Sequence, residues 1–113
     1  MRVRVLLDEC IPVQLVSALP AHYVRTIRGM AWRGKKNGEL LELAAARFDV
    51  FVTIDGGLKY QQRITHRRLG VVTLIASSNE IAALQPLMRG LRHAIMKVKP
   101  RQVLRVGPSG DAS

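Results

Sequence analysis

Three acids in this chain have the spacing to form one metal site: Asp8, Glu39 and Asp55. Asp8, with Glu9 beside it, directly follows the apolar run Val3-Arg4-Val5-Leu6-Leu7. Asp55 directly follows Val50-Phe51-Val52-Thr53-Ile54, and Glu39 opens a segment with apolar residues at helical spacing. Carboxylates gathered in one place repel one another and resist joint ionisation. A hard divalent cation relieves that repulsion, and Mg²⁺ or Mn²⁺ would take their oxygens while keeping waters and positions for a phosphate. Such an ion can activate water and stabilise the charge that develops in phosphodiester hydrolysis. Each acid also has a structural reading: Asp8 as a helix cap, Asp55 before Gly56-Gly57 as a turn residue, Glu39 as a helix-dipole acid. Their conjunction on one edge favours the site.

That conjunction depends on the elements between them. Val3–Leu7 reads as a buried strand. Pro12 suits the first turn of a helix whose apolar face is Leu15, Val16 and Leu19, and Pro20 ends it. His22–Ile27 is a short strand, followed by a polar, basic loop around Met30 and Trp32. Glu39–Phe48 is a helix by the spacing of Leu40, Leu41, Ala44 and Phe48, with Asn37 as its N-cap. Val50–Ile54 is a continuous β-branched strand, Tyr60–Arg68 a short helix, and Val71–Ile75 another buried strand. Asn79 caps a long helix with apolar Ile81, Leu84, Leu87, Leu91, Ile95 and Val98, which Pro86 kinks or divides. Gln102–Val106 is the last strand. Residues 1–106 then make one domain, and 107–113, small and polar, a disordered tail.

Alternation of this kind predicts a three-layer α/β/α fold around a parallel sheet of about five strands. Ligands of such sheets bind outside the carboxyl ends of the strands. Asp8 and Asp55 fall there, and the first turn of the antiparallel helix brings Glu39 back to the same edge. Glu9, Ser78 and Asn79 stand near them as supporting groups. Asp49 precedes a strand and belongs at the opposite edge.

The eighteen lysines and arginines face eight acids, for a net charge of +10. A domain this basic points to a polyanionic partner, with nucleic acid the usual one and an acidic protein the alternative. Arg33, Lys35, Lys36, Lys59 and Arg63, with Arg28, lie in segments near the acidic edge and would hold a phosphate backbone there. Trp32 and Tyr60 would stack on bases, although a loop tryptophan more often packs back on its own domain. A lone Cys10 forms no internal disulfide, and no run of about 18 apolar residues is present to span a membrane. The opening residues carry too short an apolar run for a secretory leader. The expected compartment is the cytoplasm.

Val5-Leu6-Leu7-Asp8-Glu9, Lys36-Asn37-Gly38-Glu39-Leu40-Leu41, Val52-Thr53-Ile54-Asp55, Leu58-Lys59-Tyr60-Gln61-Gln62 and Ser78-Asn79, taken together, resemble a group of short bacterial PIN-like proteins. The likeness runs from Met1 to about Val106. It implies a metal-dependent ribonuclease acting on RNA, with Asp8, Glu39 and Asp55 as catalytic and metal-binding acids. It also implies a toxin held by a small antitoxin-like protein; a homodimer is compatible with the same reading. This chain has Cys10 where the group has Asn or His, and Gly57 where it has a second acid or Asn. Those departures frame the alternative of a catalytically inactive module that binds RNA or a partner. A third reading is a phosphorelay receiver domain, to which Asp8, Glu9, Asp55 and Ser77 also fit. A receiver needs a lysine after its fifth strand, and here Val106 leads into Gly107-Pro108.

Overall fold

The computed structural model describes residues 2–54 and 67–108. Five strands form one parallel sheet: β1 (Arg4–Leu7), β2 (Tyr23–Thr26), β3 (Val50–Ile54), β4 (Gly70–Leu74) and β5 (Val103–Val106). Their order across the sheet is β2-β1-β3-β4-β5. Strand residues alternate between two cores, as the period of two requires. Val5, Leu7, Val50, Val52, Val72 and Leu74 face one side, while Leu6, Phe51 and Val71 face the other. Both faces are covered, so the inner strands β3 and β4 read as nearly continuous apolar runs, while edge strands β2 and β5 expose Arg25 and Arg105. The fold is the expected three-layer α/β/α arrangement.

The first face is covered by a 3₁₀ helix at Val13–Ala18 and by α2 (Ile81–Leu84), a 3₁₀ turn at Gln85–Leu87 and α3 (Met88–Lys97). Pro86 sits in that turn and divides the expected long helix. The other face is covered by α1 (Asn37–Arg47), through Leu40, Leu41 and Ala44. No helix among the described residues is long and apolar enough to cross a membrane.

Three local expectations are corrected. Asn37 is the first residue of α1 and not its cap; Lys36 takes the cap position with extended backbone. The segment after Pro12 is a 3₁₀ helix, not an α-helix; it is squeezed between Pro12 and Pro20 and has no side-chain cap, and 3₁₀ geometry suits such short pieces. Asn79 is not the cap of the following helix. Glu80 occupies that position with extended backbone, and the Asn79 amide Nδ2 donates across the sheet edge to the Cys10 carbonyl at 3.2 Å. The helix expected over Tyr60–Arg68 lies mostly outside the described residues, as do the last five residues of the tail.

At the amino edge, Asp49 ties three strands together. Its carboxylate accepts from the Arg4 backbone N–H at 2.9 Å and from the Arg4 guanidinium at 3.0 Å. Its own N–H donates to the Arg4 carbonyl, and its carbonyl accepts from Gly70 N–H. The side-chain hydrogen bond from Arg4 holds the Asp49 carboxyl below its ordinary range.

Candidate active site at the carboxyl edge

The chain leaves β1 toward β2 on one side, and β3 pairs with β1 on the other. The crevice between β1 and β3 is therefore the switch point of the sheet, where open α/β folds place their ligands. Asp8 enters it as the first residue past β1. Its N–H donates to the Val52 carbonyl at 2.9 Å, which fixes the backbone against β3. Its Oδ1 accepts from the Glu9 N–H at 2.9 Å, and its Oδ2 accepts from the Thr53 hydroxyl at 2.6 Å. The half-buried carboxylate is thus oriented from two sides.

Thr53 is a functional neighbour that the sequence reading missed. It is only 2% exposed, and it stands across from Asp8 because Leu7 pairs with Val52 one step earlier. A signal was present. Thr53 falls on the α1 face with Phe51, and a polar side chain buried in an apolar strand needs a partner. Removing the hydroxyl while keeping the shape tests this contact. Thr53→Val is expected to cost about 1.5–3 kcal/mol, the range for a hydrogen bond to a charged group. Thr53→Ser, which keeps the donor, is expected to lose less. Urea unfolding of the two variants measures the difference, and equal losses would show that the hydroxyl contributes nothing.

A cleft of about 370 Å³ opens beside Asp8, lined also by Glu9, Pro12, Thr26, Arg28 and Arg33. Arg33 Nε lies 3.8 Å from Glu9 Oε2. Both side chains are exposed, so the pair adds little stability and leaves an exposed cation at the rim. Glu39 sits in the first turn of α1 and accepts from Lys35 Nζ at 3.0 Å. Its side chain is 61% exposed, and it is not among the residues lining the Asp8 cleft. Lys36 is exposed at the cap position of α1. Ser78 Oγ accepts from Glu80 N–H, and Asn79 tethers the post-β4 segment to the Cys10 loop. Asp55 follows Ile54 in the chain and, with Lys59 and Arg63, lies outside the described residues.

Two nearby side chains serve the core. Trp32 is 9% exposed and meets Phe48 edge-on at 6.0 Å between ring centroids, so it packs back on the domain. The Cys10 thiol is pushed up in pKa, first by burial and then by the Asp8 charge. A nucleophilic cysteine needs the opposite shift.

Among the described residues, no group of three or more His, Cys, Asp or Glu side chains is placed to hold a metal ion. The donors in the cleft, the Asp8 and Glu9 carboxylates, are hard oxygens. That chemistry suits Mg²⁺ or Mn²⁺, and Mg²⁺ commonly takes one or two carboxylates and completes its shell with water. No family model, curated protein or solved structure matches the chain.

Proposed function

We propose that the chain is a metal-dependent ribonuclease in which Asp8, Glu39 and Asp55 would hold Mg²⁺ or Mn²⁺. The observation that carries this reading is the Asp8 carboxylate at the switch point, oriented by Thr53 and the Glu9 N–H. Arg28 and Arg33 line the same cleft and would receive phosphates on either side of a scissile bond. A divalent ion bound to these acids supplies an activated water and charge stabilisation at the phosphoryl oxygens. The chain's part is to fix the Asp8 oxygens, to leave the Cys10 thiol protonated and out of the chemistry, and to set guanidinium groups at the rim. For Glu39 to join the ion, its pair with Lys35 has to open; both side chains are on the surface or close to it, so little opposes this. The resemblance to PIN-like toxins extends the proposal to a small antitoxin-like partner.

Calorimetric titration with Mn²⁺ tests the site. Binding is expected in the parent, and Asp8→Asn is expected to weaken it at least about tenfold, since even outer-shell losses cost that much. Equal affinity in parent and variant would reject the site. The inactive-module reading predicts retained RNA binding with no ion-dependent cleavage.

The strand order also favours a second reading, because β2-β1-β3-β4-β5 is the order of flavodoxin-like and receiver folds. The residues after β5 oppose it: Val106, Gly107 and Pro108 bring no lysine to the edge. Tight beryllofluoride binding that Asp55→Asn removes would establish the receiver reading in place of the nuclease.

A further inference from the structure

Two hollows at the amino edge of the sheet, of about 530 and 290 Å³, adjoin at Arg4 and Phe48, which line both; together they are called the amino-edge groove. It wraps from the α1 face, past the start of β1, to the carboxyl end of α3. Among the described residues, four arginines line it, Arg2, Arg4, Arg47 and Arg68, against a single acid, Asp49. Arg4 already binds Asp49 through Nε and Nη2, so the acid is neutralised from within. Arg25 stacks over the Tyr23 ring at 3.9 Å, and Arg2 approaches the same ring at 5.9 Å. Tyr23 itself lines the groove.

Helix dipoles account for part of this charge. α1 and α3 end at this edge, and cations are favoured at helix carboxyl ends; Arg47 and Lys97 have that explanation. Arg4, the first residue of β1, is held by Asp49; Arg2 and Arg68 have neither explanation, because they come from the approach to β1 and from the segment before β4. Like charges gathered in a concavity repel one another unless an anion joins them. Arg4 spends its fork on Asp49, and the other three are arginines whose planar forks match phosphate oxygens in pairs. Apolar Val3, Phe48 and exposed Met96 floor and border the groove.

We propose that this amino-edge groove binds single-stranded RNA through its phosphates, as a site separate from the Asp8 cleft. Strands of four or five residues put the two edges roughly 13–16 Å apart, about the span of a few nucleotides of extended chain. The groove needs neither a metal ion nor a catalytic Asp8, so its test is independent of the nuclease reading.

The test is fluorescence anisotropy of a fluorescein-labelled twelve-residue oligouridylate, in EDTA, over a salt series. Arg2→Glu/Arg68→Glu changes two exposed residues. It is expected to weaken binding at least about tenfold and to flatten the salt slope by about 1.4, for two lost phosphate contacts on a single strand. Arg89→Glu/Arg105→Glu makes the same change in net charge on exposed positions outside the groove, and is expected to weaken binding less than about threefold. Arg47→Glu/Arg68→Glu serves as a second groove variant should the first fail to give a native circular dichroism spectrum. Equal losses in groove and control variants would reduce the effect to overall charge and overturn the site. So would a glutamate-rich twelve-residue peptide that displaces the RNA at equal concentration, which would make the groove a dock for an acidic protein.

Discussion

Asp8→Asn is expected to lower Mn²⁺-dependent cleavage of single-stranded RNA by at least about 100-fold, the upper range for losing even a supporting group of a metal site. The substitution keeps the shape of the side chain. An asparagine oxygen can still accept from the Glu9 N–H, and its amide can turn toward the Thr53 hydroxyl, so the fold should survive the change. What it removes is charge, and charge is what an ion needs. Asp55→Asn is expected to fall by a similar factor. If both acids share one ion, they act as a unit, and the double variant should be little worse than either single one. Losses that multiply would mean two independent roles and no shared ion. Parent-level cleavage in Asp8→Asn, with cleavage still abolished by EDTA, would place the chemistry elsewhere on the molecule. If Asp55 and Asp8 face one ion, the metal-free melting temperature of Asp55→Asn should equal or exceed the parent's, because the substitution would relieve repulsion between their carboxylates. Added Mg²⁺ should raise the parent's stability by about 2.7 kcal/mol at a hundredfold excess over the dissociation constant, and the variants' by less.

The inner strands were legible because β3 and β4 are nearly unbroken apolar, β-branched runs, and Val50–Ile54 has the bounds read from sequence; edge strands β2 and β5 are interrupted by exposed Arg25 and Arg105 and were read from their flanking turns. The layering followed from alternation of strands and helices. The order of the strands did not follow, since a parallel sheet of this kind can be wound in more than one order, and only the pairing of β1 with both β2 and β3 locates the switch point. Asp8 could be placed at the edge from its position after a strand. Its contact with Thr53 could not, because it depends on the register between segments 45 residues apart. The pair Lys35–Glu39 was open to reading from its i, i+4 spacing. Asn79 illustrates the opposite limit. Its type and place before a helix fit a cap, but a tertiary acceptor, the Cys10 carbonyl, took the amide instead.

Phe48→Ala is expected to destabilise the domain by about 3–5 kcal/mol, the range for truncating a buried phenylalanine. Phe48 follows the last turn of α1, where its N–H donates to the Ala44 carbonyl at 2.7 Å and its backbone turns extended toward β3. Its ring is 2% exposed. Trp32 meets it edge-on, and Tyr23 lies at 6.5 Å, tilted by 34°. The ring therefore joins α1, the loop after β2 and edge strand β2 to the core that contains Leu6 and Phe51. Truncation would leave a cavity beneath all three, and the residues around it are held by separate elements that cannot all close in. A domain of this size has about 5–15 kcal/mol of total stability, so the loss is a large fraction of it and should lower the melting temperature by roughly 15–25 °C. Phe48→Leu, which refills most of the volume, should cost less than about 1.5 kcal/mol beyond the lost ring contacts. The chain has one tryptophan, and it touches this ring, so its emission reports the site directly. Phe48→Ala should shift Trp32 emission to the red below the melting transition, as water reaches the indole. A loss under about 1 kcal/mol with unchanged Trp32 emission would mean that α1 is held to the sheet by Leu40, Leu41 and Ala44 alone.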